Sequence, residues 1–89
     1  MYSPVFAPRF KKDYKKVSAS GYVIEDVDEV IRSLASGSAL PARFRDHPLK
    51  GKWRTYRECH VRPDILLIYR IESGNLMLAR IGSHSDLFE

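Results

Sequence analysis

The feature that most constrains this chain is the unbroken apolar run Ile65-Leu66-Leu67-Ile68. Side chains on a strand alternate between two faces, so four apolar residues in succession need cover on both sides. The run is therefore expected to be a central strand, not an edge. Turn residues bracket it, Pro63-Asp64 before and Ser73-Gly74-Asn75 after. The segments Trp53 to His60 and Leu76 to Ile81 then read as its neighbours in a three-strand meander.

The N-terminal part follows a different period. Tyr2 to Phe6 is a short apolar strand, and Pro8 suits the first turn of a helix, where its missing N–H would have no partner anyway. Phe10, Tyr14 and Val17 fall on one helical face, with Arg9, Lys11, Lys12, Lys15 and Lys16 around the rest. After a break at Ser18 to Gly21, the spacing of Val23, Ile24, Val27, Val30, Ile31 and Leu34 gives a second helix, for which Gly37 is the expected stop. Glu25, Asp26, Asp28 and Glu29 make that helix acidic, so it should back the sheet and point away from nucleic acid. Ser38 to Lys52 reads as a basic loop anchored by Leu40, Phe44 and Leu49. The expected architecture is α+β: an N-terminal strand and two helices packed on an antiparallel sheet with a C-terminal three-strand meander. With 89 residues, one domain over 1–89 is expected.

Composition is that of an ordinary globular chain, with 44% hydrophobic and 29% charged residues, which excludes the disordered class. The formal charge of +4 is unevenly spread. From Arg43 to Arg62 seven cations (Arg43, Arg45, Lys50, Lys52, Arg54, Arg57, Arg62) face two anions, Asp46 and Glu58. Such a stretch offers a footprint for a phosphate backbone, although a solvated face would look the same. One cysteine, Cys59, cannot form an intrachain disulfide, and it reads as a small buried residue. No apolar stretch reaches the length of a membrane span and no export signal is evident, so the cytoplasm is the expected location.

The three histidines, His47, His60 and His84, all lie at ends of expected elements or in a loop, from which they can converge at one rim of the sheet. A metal site is weakly indicated. Cys59 and His60 are adjacent on a strand and point to opposite faces, and no paired Cys-x-x-Cys or His-Glu-x-x-His spacing is present.

Several motifs in order then carry a resemblance. Asp46-His47-Pro48-Leu49, Gly51 and Trp53, Tyr56-Arg57-Glu58, His60-Val61-x-Pro63-Asp64, Tyr69 in the apolar strand, and Arg80-x-Gly82-Ser83-His84-Ser85-x-Leu87-Phe88 resemble the YafQ branch of the RelE-like toxins. The resemblance runs from about Leu40 to Phe88, and residues 1–38 match in element order more than in identity. It implies cleavage of messenger RNA in the ribosomal A site, without metal or cofactor, by attack of a ribose 2′-hydroxyl on the adjacent phosphate. That reaction needs a base, an acid and cations facing the developing charge. Histidine suits both proton roles near neutrality. His84 is assigned as the acid and His60 or His47 as the base, with the two labels exchangeable. Asp64 orients or tunes a histidine or takes the proton itself. Arg80 faces the phosphate, Phe88 stacks on a base or ribose, and Lys50, Lys52 and Arg54 are further RNA contacts. Trp53, Tyr56 and Tyr69 are assigned to packing, Tyr56 being a lesser candidate for RNA.

Taken singly, the same residues have structural readings. Asp64 suits a turn, His47 a loop before a proline, and Phe88 an apolar plug for the C-terminus. Two other functions compete: a non-catalytic inhibitor of a protein target, as in the ParE-type branch of the same fold, and a plain RNA-binding module. The resemblance also implies a cognate antitoxin as partner, beside the ribosome and its message, and a free toxin that is monomeric.

Overall fold

The computed structural model describes residues 1–19 and 21–88, with only the backbone at residue 22. Its elements are β1 (Ser3–Phe6), α1 (Pro8–Val17), α2 (Gly21–Ala35), β2 (His47–Pro48), β3 (Arg57–Arg62), β4 (Ile65–Glu72), β5 (Asn75–Gly82) and α3 (His84–Phe88), with 3-10 turns at Ala42–Phe44 and Gly51–Trp53. Among the described residues five strands form one sheet in the order β1-β5-β4-β3-β2. The meander β3-β4-β5 is antiparallel as expected, and β4 is its central strand. β1 runs parallel to β5, so the sheet is mixed.

Two apolar clusters cover the two faces. Leu67, Tyr69, Leu76, Leu78, Ile81 and Cys59 point to the helix side, against Phe10 of α1 and Val23, Val27, Val30, Ile31 and Leu34 of α2. Leu66 and Ile68 point the other way and meet Leu87, with Leu49, Trp53, Tyr56, Ala79 and Phe88 around them. The four-residue apolar run is thus divided between both clusters. The helices follow their sequence signals closely. Pro8 begins α1, whose last turn carries Lys15 and Lys16, where the helix dipole favours cations. At the end of α2, Gly37 has φ 84°. Its N–H donates to Leu34 O at 3.0 Å, and that of Ser38 to Ser33 O at 3.1 Å, a Schellman closure.

Three details depart from expectation. The strand expected from Trp53 begins at Arg57, because Gly51–Trp53 form a 3-10 turn that tucks Trp53 against Tyr56, ring centroids 5.2 Å apart. The loop before it holds a two-residue strand, β2, whose His47 and Pro48 pair with Glu58 and Arg57. The C-terminal residues after β5 coil into α3. Two bulges adjust the meander: Val61 is the extra residue of β3 against β4, and Ala79 that of β5 against β4.

Candidate active site

The site lies on the face away from α1 and α2. On β3, Glu58 and His60 are two residues apart and share that face, while Cys59 between them is in the helix-side core. The antiparallel register sets His47 opposite Glu58. Both imidazoles consequently meet one carboxylate oxygen: His60 Nε2 is 3.3 Å and His47 Nε2 3.8 Å from Glu58 Oε1. The two rings are 6.4 Å apart between centroids. Glu58 is only 7% exposed, the one charged residue so buried among those described. A buried carboxylate is normally paired, and an imidazole supplies that pairing when its Nε2 carries a proton.

His47 is held from its other side. Its Nδ1 is 2.7 Å from the carbonyl oxygen of Arg45, which can only accept, so Nδ1 carries a hydrogen and Nε2 is the nitrogen turned to Glu58. Arg45 itself adopts a left-handed conformation (φ 51°), uncommon for a residue with a side chain. The next residue is clamped as well: Asp46 accepts from the Tyr69 hydroxyl at 2.7 Å and from Arg57 Nε at 3.1 Å. Burial, and next the bond to Asp46, push the Tyr69 hydroxyl well above the ordinary tyrosine range. The loop bearing His47 is thus fastened to the centre of the sheet.

The second group of the site is α3. Ser83 caps it: the Asp86 N–H donates to Ser83 Oγ at 3.2 Å and the Ser83 N–H to Asp86 Oδ2 at 3.4 Å, a reciprocal capping box. Those bonds with Ser83, side chain first, hold the Asp86 carboxyl below the usual range. Leu87 is buried on the Leu66–Ile68 floor. His84 and Phe88, one helical turn apart, meet at a tilt with ring centroids at 5.0 Å. His60 pairs with Leu66, and Leu66 with Gly82, so two strand spacings of about 4.8 Å separate the His60 backbone from the end of β5, from which α3 starts.

The sequence-expected residues therefore fall into distinct positions. His47 with His60, and His84 with Phe88, are contacting pairs on one face. Asp64 is exposed in the Pro63-Asp64 turn joining β3 to β4, at the same end of the sheet as His60. Lys50, Lys52 and Arg54 are exposed on or beside the Gly51–Trp53 turn. Arg80 is largely enclosed: its Nε and Nη2 donate to Asp13 of α1 at 2.6 and 3.1 Å, and both side chains are 13% exposed. Asp13 also accepts from the Ile81 N–H at 3.2 Å. That bidentate bond uses one edge of the guanidinium and leaves Nη1 for another ligand. Two participants escaped the sequence reading. Glu58 carried a signal, since a carboxylate two residues before a histidine on a strand shares its face; Asp13 carried none, lying 67 residues from Arg80. Among the described residues no three His, Cys, Asp or Glu side chains are gathered to hold a metal ion, and no helix is long and apolar enough to cross a membrane.

The fold and the histidine–carboxylate face define a class: small basic α+β proteins that carry acid–base residues at one end of a meander. Residues 2–89 match the family model described as "Bacterial toxin of type II toxin-antitoxin system, YafQ". The chain belongs to the YafQ family of bacterial toxins. It is 49% identical over 49 residues to the "mRNA interferase toxin YafQ" of Escherichia coli K12, an alignment that takes in 55% of this chain and spans about half (53%) of that protein. Among solved structures, a copper-bound mutant toxin from Helicobacter pylori superposes with a TM-score of 0.92 at 41% identity, covering 99% of this chain and 100% of that one. The toxin of the E. coli DinJ–YafQ complex superposes with a TM-score of 0.90 at 31% identity, covering all of both chains.

Proposed function

We propose that this protein, as one toxin domain, is an mRNA interferase that cleaves messages in the ribosomal A site and so inhibits translation. The observation that carries the reading is the Glu58 carboxylate set between His47 and His60, on the face that also carries His84 and Phe88. Endonucleolytic cleavage by a 2′-hydroxyl requires one proton to leave the nucleophile and another to reach the departing 5′ oxygen. In this reading the Glu58–His60–His47 group takes the first proton. Glu58 positions the imidazoles and stabilises the cation formed when one is protonated, as a buried carboxylate does for a neighbouring histidine. His84 delivers the second proton. Phe88 stacks on a base or ribose and fixes the strand over the two groups. The free Nη1 of Arg80, aimed by Asp13, and the cations Lys50, Lys52 and Arg54 face the RNA phosphates. Asp64, at the rim beside His60, orients a histidine or accepts a proton in turn.

The proton transfers in this reading are carried by side chains alone, and no step is routed through a metal. As for the toxin of the DinJ–YafQ complex, the expected partner is a small antitoxin, and the net charge of +4 favours an acidic binding segment. The working location is the cytoplasm, and the free toxin is taken to be a monomer. The deciding experiment is translation with purified ribosomes and a message mapped for breaks, with chelator present. Wild-type protein should cut within the A-site codon, and His84→Ala should cut at least about 100-fold more slowly while melting at the same temperature. An intact message with wild-type protein refutes the nuclease reading.

A further inference from the structure

A cleft of about 350 Å³ opens beside the site, lined by Arg43, Phe44, Arg45, His60, Arg62 and Pro63. Through His60 it is continuous with the acid–base group. Its chemistry is unlike that of the face around Leu66 and Ile68, for three guanidinium groups line it. Arg43 and Arg45 are exposed and project from the 3-10 turn and its cap on either side of Phe44. Arg43 lies over the Phe44 ring, 4.7 Å from its centroid. Arg62 is engaged by Asp26 of α2 at 2.7 Å. The acids nearby are committed or peripheral: Asp26 to Arg62, Glu58 to the histidines, and Asp64 just past Pro63 in the turn.

We propose that this cleft is a nucleotide subsite, which takes the message residue adjoining the scissile phosphodiester. The proposal rests on the nuclease reading above and adds to it where the substrate strand runs. The base of that nucleotide stacks on the Arg43 guanidinium, which already lies over the Phe44 ring. Its phosphate is held by the Arg45 side chain. Arg45 performs two tasks from one residue. Its carbonyl holds His47 Nδ1, and its left-handed backbone turns the side chain toward the cleft while the carbonyl faces the histidine. A nucleotide gripped there lies next to His60 and fixes which phosphodiester is presented to the acid–base group.

Arg45→Gly separates the two tasks, because glycine keeps the left-handed backbone and the carbonyl yet has no guanidinium. With Arg43→Gln it forms the test pair. On programmed ribosomes each substitution should raise KM about tenfold with kcat nearly unchanged. Arg45→Gly, which removes the phosphate ligand, should also flatten the dependence of log(kcat/KM) on log salt by about 0.7, the value for one single-strand phosphate contact. Binding is measured separately by fluorescence anisotropy, with short RNAs made uncleavable by a 2′-deoxy residue at the scissile position. One added flanking nucleotide should tighten binding to wild type and not to the double variant. Wild-type KM and salt slope in both variants would overturn the proposal, as would a loss confined to kcat in Arg45→Gly, which would mean the residue acts only through His47. A loss of affinity for vacant ribosomes equal to that for programmed ones would assign the cleft to ribosomal RNA and overturn its assignment to the message. If wild-type protein cuts no message, the nuclease reading fails by itself, and the anisotropy series still decides the subsite.

Discussion

Removal of the Asp13 carboxylate should destabilise this protein strongly, although the residue is polar and lies on a helix face. Asp13 accepts three hydrogen bonds, from Arg80 Nε (2.6 Å), Arg80 Nη2 (3.1 Å) and the Ile81 N–H (3.2 Å), and both charged side chains are 13% exposed. In Asp13→Ala the guanidinium stays in place without its partner, and breaking a buried pair from one side costs about 3–5 kcal/mol. Some water reaches this pair, so the lower end, about 3 kcal/mol, is expected. An 89-residue chain has a total stability of roughly 4–13 kcal/mol, so the loss is a large share of it. At about 4–8 °C per kcal/mol for a domain of this size, Tm should fall by about 12–24 °C. The double variant Asp13→Leu with Arg80→Met removes both charges and should recover most of the fall, because the penalty comes from the stranded cation. Circular dichroism melts of the wild type, the single and the double variant give the answer. A fall under about 4 °C in Asp13→Ala, or a double variant no better than the single, refutes the reasoning.

Glu58→Gln keeps the shape and an acceptor oxygen but removes the charge; cleavage of ribosome-bound message should drop by about 10²-fold or more with little change in Tm, and retention of more than half the activity would take Glu58 out of the mechanism. Burial pushes the Cys59 thiol up from about 9 to about 12, so native protein should resist alkylation at pH 8 until denaturant is added. The sign of the linked stability follows from that raised value. The contribution is fully present below about pH 9 and is lost as pH rises toward 12, at up to about 1.4 kcal/mol per unit, because the unfolded thiol ionises first. The raised Tyr69 hydroxyl acts in the same direction, and urea melts between pH 8 and 11 should show the decline, shallower in Cys59→Ala. Gly37→Ala puts a Cβ on a residue at φ 84° and should cost about 1–2 kcal/mol, read as a Tm drop of at least about 4 °C.

Local periodicity made the helices and the central strand legible. Phe10 and Val17 on one face, the valine–isoleucine spacing of α2, Gly37 and the apolar run of β4 each announce their element within a few residues. The short elements were less legible, because β2 is only two residues long and exists through its register with Glu58 and Arg57, a relation between distant segments. The Gly51–Trp53 turn is hidden by aromatics that also suit a strand; in the fold Trp53 meets Tyr56 edge-on across the turn. At the site, the histidines and Phe88 stood out by type. Glu58 was obscured by its place in a basic run, where it reads as a neutralising charge until its burial is seen. The commitment of Arg80 to Asp13 joins β5 to a helix at the opposite end of the chain, and nothing near either residue signals it.

The alternation of Glu58, Cys59 and His60 along β3 also bears on how the chain avoids a wrong assembly. Strand pairing off by a single residue would exchange faces along β3. Glu58 and His60 would then be driven into the apolar side filled by α1 and α2, and Cys59 would be carried to the opposite face of the sheet. A carboxylate and an imidazole lodged among apolar side chains, away from His47, are penalised by several kcal/mol. The polar pair at the candidate site therefore also acts as a proofreader of strand register, and a chain that mispairs is rejected by residues that line that site.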